Sequence, residues 1–214
     1  IIIHESGHEW FANNITNKDV ADMWIHESFT NYSENLYLDY HFGKDAASEY
    51  LIGLRKNIRN DRPIIGTYNV NRSGSGDMYY KGANMLHTIR TIVDNDELWR
   101  ETLRGLNKEF YHKTTTSAMV EDFMSRKLNK NLAPIFDQYL RTVKIPTFEY
   151  KVNKKKLSYR YTNVISDFSM PLSLMINGKT KSIKPTDQWQ ELKMPKKIND
   201  LSIPEDYYIH TRKR

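Results

Sequence analysis

The hydrophobic period changes near Val143, and this change limits the fold more than any other feature of the sequence. Before it, apolar residues recur three and four apart, as at Ala46, Tyr50, Leu51 and Leu54, which predicts helices. After it they alternate with polar residues: Phe148, Tyr150 and Val152, then Leu157, Tyr159 and Tyr161. Period two predicts half-buried strands. Helices followed by strands define an α+β chain in which the two kinds of element are segregated. The expected division is a mainly helical unit over residues 1–143 and a small antiparallel β-sandwich over 144–214.

The expected helices cover Ile1 to Asn14, Asp22 to Phe42 (stopped by Gly43), Asp45 to Ile58, Met78 to Val93, Glu97 to Phe110, Ala118 to Leu128 and Ile135 to Leu140. Pro63, Gly66, Gly74 and Gly76 mark the stretch from Arg62 to Asp77 as a loop, and Ser73–Gly76 as a flexible part of it. Asn177-Gly178 between two strand-like runs predicts a tight hairpin.

Charge follows the same division. Residues 1–143 hold 17 basic and 19 acidic side chains, whereas residues 144–214 hold 15 and 7. The lysines of the second part are scattered along its strands, so a solvated face is expected there and no nucleic-acid partner. The chain has no cysteine, which excludes a disulfide scaffold and a thiolate metal site. Lack of cysteine suits an exported parent as well as a cytoplasmic one. No apolar run reaches the roughly 18–20 residues that a spanning helix needs. The first residues already belong to a motif, so the expectation is a piece of a longer polypeptide, with an upstream part.

That motif is His4-Glu5-Ser6-Gly7-His8, or H-E-x-x-H. Histidines four apart share one face of a helix, so their imidazoles can hold one zinc ion. Glu5, beside the first ligand, is placed to take a proton from a water at that metal. A catalytic zinc takes three protein ligands and keeps one position open. Glu27 follows His8 after eighteen residues, and antiparallel packing of the first two helices would return it to the metal. His26 is a rival, but neighbouring helical residues diverge by roughly 100°, so only one of the two can point there.

This pattern resembles the gluzincin zinc aminopeptidases of the aminopeptidase N and leukotriene hydrolase type. Trp10 and Asn13 match after the second histidine, and Asp22, Trp24, Tyr32 and Glu34 match around the third ligand. Tyr79-Tyr80-Lys81-Gly82-Ala83 resembles the family's Tyr-x-Lys-Gly-Ala element, and Phe136-Asp137-Gln138-Tyr139-Leu140 resembles its later Phe-x-Gln-Trp-Leu helix. The resemblance implies a thermolysin-like helical catalytic subdomain followed by a β-domain. It implies one zinc ion on His4, His8 and Glu27, with Glu5 as the base. Tyr79 would be the hydrogen-bond donor to the oxyanion, with Tyr80 as fallback. Glu34, seven residues after Glu27, is either a carboxylate that orients a zinc histidine or a surface glutamate.

The implied activity is hydrolysis of peptide substrates, most simply release of N-terminal amino acids. Two alternatives stay open: a zinc hydrolase of another bond, and a catalytically silent fragment or binding module. Three positions depart from the family. Ala12 and Ser28 stand where glycine is usual, and His26 stands where asparagine is usual. The family's upstream Gly-x-Met-x-Asn stretch, which helps to hold a substrate's amino group, does not occur in these residues.

Overall fold

The computed structural model describes residues 1–214. Its helical part is built on α2 (Trp24–Phe42), against which α1 (Ile2–Gly7), α3 (Lys44–Gly53) and α4 (Tyr80–Val93) all pack. α5 (Asp96–Glu109), α6 (Ser117–Lys127) and α7 (Ala133–Arg141) complete it. Asn95 opens α5 by accepting from the Leu98 amide at 3.0 Å, an N-cap in the usual sense. Gly43 joins α2 to α3 with φ +90°, a left-handed conformation that glycine adopts without steric cost.

The expected first helix is interrupted. After α1 the chain makes a π-helical turn over Glu9–Asn14, with non-helical torsions at Phe11 and Ala12. It then enters a short strand, β1 (Ile15–Asn17), which pairs in parallel with β2 (Lys113–Thr115). This pair is invisible to periodicity because three residues are too few to show a period. The third helix also ends early, at Gly53, and continues as a 3-10 turn to Asn57.

Strands begin at β3 (Thr147–Asn153). With β4 (Lys156–Thr162), β7 (Gln190–Lys193) and β9 (His210–Lys213) it forms a four-stranded sheet in the order β7-β4-β3-β9. β5 (Leu172–Ile176), β6 (Lys179–Ile183) and β8 (Leu201–Ser202) form a second sheet, ordered β6-β5-β8. Burial alternates along β4, with Leu157, Tyr159 and Tyr161 inward. Asn177 (φ +50°) and Gly178 (φ +70°) make the expected turn between β5 and β6.

One pairing departs from the antiparallel expectation: β9 runs parallel to β3. It is locked by Glu149, which is 1% exposed and bonded to Arg160, Arg212 and Arg214 at 3.1, 3.0 and 2.8 Å. A buried carboxylate is costly alone and tolerable when several guanidiniums surround it. Two of those guanidiniums lie on or beside β9, so the ionic cluster selects the strand's position.

Helices and strands share one hydrophobic core, which runs from Phe11 through Trp24, Phe136 and Tyr139 to Phe148, Phe168 and Tyr208. Polar bonds cross the seam. Tyr139 donates to the Tyr208 carbonyl at 2.5 Å, the Tyr208 amide to Thr88 Oγ1 at 2.9 Å, and buried Gln138 bridges Lys144 and Ile165. No helix is long and apolar enough to cross a membrane.

Candidate metal centre

Glycine makes the close approach of α1 to α2. A Cβ on Gly7 would lie 3.1 Å from Thr30 Cγ2 and 3.3 Å from Ser33 Cβ. The face of α1 that carries His4 and His8 is thereby laid along Glu27. Their Nε2 atoms lie 3.3 and 3.6 Å from Glu27 Oε2, and the three ligand atoms all fall within 4.8 Å of one another.

The far side of each imidazole is occupied. His4 Nδ1 lies 2.8 Å from Glu34 Oε1, and the other Glu34 oxygen accepts from the Tyr50 hydroxyl of α3. His8 Nδ1 lies 3.2 Å from the Phe11 carbonyl and 3.2 Å from Thr30 Oγ1. A carbonyl and a carboxylate only accept, so both rings carry their proton on Nδ1. Each Nε2 lone pair is then turned toward Glu27.

Glu27 Oε2 is buried and has no hydrogen-bond partner. Two nitrogen lone pairs and a buried carboxylate oxygen facing one another are unfavourable without a cation among them. Tetrahedral zinc with bonds near 2.1 Å spaces its ligand atoms about 3.4 Å apart, close to the 3.3 and 3.6 Å that separate the two imidazole nitrogens from Glu27. The donor set, two imidazoles and a carboxylate, is one that zinc takes. The residues fit the ion.

His26 is turned elsewhere. Its Nε2 accepts from the Asn17 amide at 3.0 Å, which braces the end of β1. Burial, then the neighbouring His8, pushes its pKa down to about 4, so it is neutral at physiological pH. Glu5 is exposed on the open side of α1.

Tyr79, the residue just before α4, lays its ring against His4 with centroids 5.9 Å apart. Burial raises its pKa, and the negative charges of Glu27 and Glu5 raise it further, so the phenol keeps its proton and can donate. Tyr80 makes no such contact with His4 and stacks obliquely on Tyr79 at 6.3 Å. Gly82 sets this arrangement: a Cβ there would sit 1.8 Å from Ser28 Oγ, so α4 touches α2 one residue beyond Glu27. Ser28 donates to the Met78 carbonyl at 2.6 Å and fastens the turn before Tyr79. The serine that departs from the family's glycine is thus accommodated by Gly82.

The loop before Tyr79 is tied down instead of free. Gly66 bonds to the Ala21 carbonyl at 3.0 Å and Ser75 to the Pro63 carbonyl at 2.9 Å, while Gly74 is packed so closely on Ile64 that no Cβ fits. Asp22 and Trp24 anchor the start of α2. Trp24 Nε1 donates to Ser117 Oγ at 2.6 Å, and Ser117 and Tyr68 both donate to Asp22. Tyr50, Thr30 and the Phe11 carbonyl carry no sequence signal as site residues: the helical spacing of Tyr50 marks only an apolar face, and the packing of α1, α2 and α3 brings all three to the histidines.

Residues 1–139 match the sequence model of the peptidase family M1 domain, and the chain belongs to that family. It is 21% identical over 197 residues to a leucyl aminopeptidase of Saccharolobus solfataricus, covering 84% of this chain and 25% of that protein. It is 25% identical over 134 residues to endoplasmic reticulum aminopeptidase 1 of Mus musculus, covering 58% of this chain and 14% of that protein. The fold is like that in a crystal structure of Legionella pneumophila aminopeptidase A in complex with aspartic acid, with TM-score 0.73 and 16% identity over 98% of this chain and 26% of that one. The chain therefore spans about a quarter or less of the length of these relatives.

Proposed function

We propose that this chain carries the metal site of a zinc-dependent aminopeptidase, which hydrolyses peptides and releases their N-terminal amino acids. The observation that carries the reading is the convergence of His4 Nε2 and His8 Nε2 on the buried, unpartnered Glu27 Oε2. Membership of peptidase family M1 supports it, as do relatives named as aminopeptidases. The share of those relatives that the chain spans supports its being part of a longer enzyme. In this reading residues 1–143 are the thermolysin-like helical part of the catalytic unit, and residues 144–214 are a β-sandwich.

His4, His8 and Glu27 would hold one zinc ion. Bound there, zinc would act as a Lewis acid toward a water molecule and the scissile carbonyl. Glu5 is the general base: it takes a proton from the attacking water and returns it to the leaving amine. Tyr79, kept protonated, donates to the oxygen that becomes negative at the tetrahedral stage. Such donors are worth roughly 3–4 kcal/mol of barrier elsewhere.

Two measurements test this. Zinc per chain should be near one and should be lost in His8→Ala. In Glu5→Gln the zinc should stay while turnover of peptides with a free amino end falls at least about 100-fold, the range for a lost general base. Turnover retained in Glu5→Gln would overturn the mechanism, and equal cleavage of amino-blocked peptides would overturn the aminopeptidase assignment.

A further inference from the structure

Two ligand histidines sit in the same site, and their supports differ in kind. His8 Nδ1 rests on a backbone carbonyl, which no side-chain substitution removes, with Thr30 Oγ1 at the same distance beside it. His4 Nδ1 rests on the Glu34 carboxylate, which is a side chain with its own freedom. The terminal torsion of a glutamate is broad and roughly two-fold, so one hydrogen bond does not fix it. The second Glu34 oxygen is fixed from another helix, by the Tyr50 hydroxyl. Burial, and then Glu34 itself, raises the Tyr50 pKa, so this hydroxyl is a donor at any physiological pH.

We infer that Tyr50 is a positioning residue of the metal centre: through Glu34 it holds the His4 imidazole so that Nε2 faces the metal. The inference rests on the reading of His4, His8 and Glu27 as zinc ligands. The chain of bonds joins three helices, with Tyr50 on α3, Glu34 on α2 and His4 on α1. Without the hydroxyl, Glu34 has one anchor fewer, and the His4 ring is free to turn with it. A carboxylate behind a ligand histidine also makes its other nitrogen a better donor to metal, and losing such support costs about 10–100-fold in affinity. Tyr50 lies one step further out, so the lower end of that range applies.

The test is zinc affinity, measured by competition with a chromophoric chelator on the whole chain. Tyr50→Phe should weaken zinc about 10-fold and Glu34→Gln by about 10–100-fold. The double variant should be no weaker than Glu34→Gln alone, because Tyr50 acts only through Glu34. The visible spectrum of the cobalt-loaded protein should change in Tyr50→Phe, whereas thermal unfolding of the metal-free forms should match. Unchanged affinity in Tyr50→Phe, or losses that multiply in the double variant, would overturn the role of Tyr50.

Should Tyr50→Phe not fold, Tyr50→4-aminophenylalanine, which keeps a donor at the same reach, should bind zinc more tightly than Tyr50→4-methylphenylalanine, which keeps only the shape; equal affinities would overturn the inference. Failure of the ligand reading gives a different pattern. Wild type would then take up no zinc, or His8→Ala would keep it, and the inference would fall with the site.

Discussion

Gly82 is where one hydrogen atom in place of a methyl decides the geometry of the site. A Cβ added there meets Ser28 Oγ at 1.8 Å and Ser28 Cβ at 2.7 Å. The Oγ can turn away only by giving up its bond to the Met78 carbonyl, and the Cβ is fixed to the backbone of a buried helix and cannot move. Gly82→Ala should therefore push α4 off α2, lowering stability by about 1–3 kcal/mol as overpacked cores do, and moving Tyr79 from His4. Ser28→Ala should not rescue it, because the Cβ conflict persists. Ser28→Gly should, less the bond that Ser28 gives to the Met78 carbonyl. Thermal unfolding of the single and double variants measures this, and a Gly82→Ala protein as stable as wild type would refute it. The meeting of His4, His8 and Glu27 is legible in the sequence because histidines four apart share a helix face and the third donor follows at a countable spacing. Glu34 was legible only as an alternative, and Tyr50 not at all, because a hydrogen bond from α3 to α2 leaves no period in the sequence.

Long helices are legible in the sequence because an apolar stripe over ten or more residues outweighs local exceptions. The end of α1 is not: Phe11 and Ala12 break the helical run, and the chain turns into β1. That break is imposed from outside, by the packing of buried Phe11 on Phe29 at 4.9 Å and by the pairing of β1 with β2, nearly a hundred residues later. Gly7 sits where the backbone of α1 lies close on α2, since a Cβ there would be only 3.1 and 3.3 Å from Thr30 Cγ2 and Ser33 Cβ. An alanine asks a few tenths of an ångström of its neighbours, whereas the branched Gly7→Val asks for more than they can give. Gly7→Val should lift α1 and part both histidines from Glu27, with zinc affinity falling at least about 10-fold. Asn95→Ala, which removes the α5 N-cap far from the site, should cost about 1 kcal/mol of stability and leave zinc affinity alone. Chelator competition on the two variants separates them; equal zinc affinities would refute the role of Gly7.

The period change at Val143 marks where helices give way to strands, yet it does not mark a gap in the molecule. One core crosses it, and a polar cluster beside the core ties the last loop to α3 and α4. There Asp206 lies 2.9 Å from His87 Nε2 and accepts from Ser48 Oγ at 2.7 Å. The His87 bond brings the Asp206 pKa down from 3.8 to about 2 against the cost of burial, with Ser48 helping. Close by, Arg90 and then Lys44 hold Asp96 down to about 2 as well. A carboxyl whose pKa is lower in the folded chain binds fewer protons there than when unfolded, so its stabilisation is complete above its ordinary pKa near 3.8 and is lost as pH falls through about 2. Wild type should therefore lose stability between pH 4 and pH 2, with strands and helices unfolding together because they share the core. Asp206→Asn should be less stable at pH 7 and should show a shallower fall over that interval. The difference is about 1 kcal/mol once solvent screening of a partly exposed carboxyl is counted, or roughly 2–4 °C in a chain of this size. Melting curves at pH 7, 4 and 2 decide it: parallel falls for the two proteins would mean that Asp206 does not couple the halves to pH, and two separate transitions would mean that the core does not make them one unit.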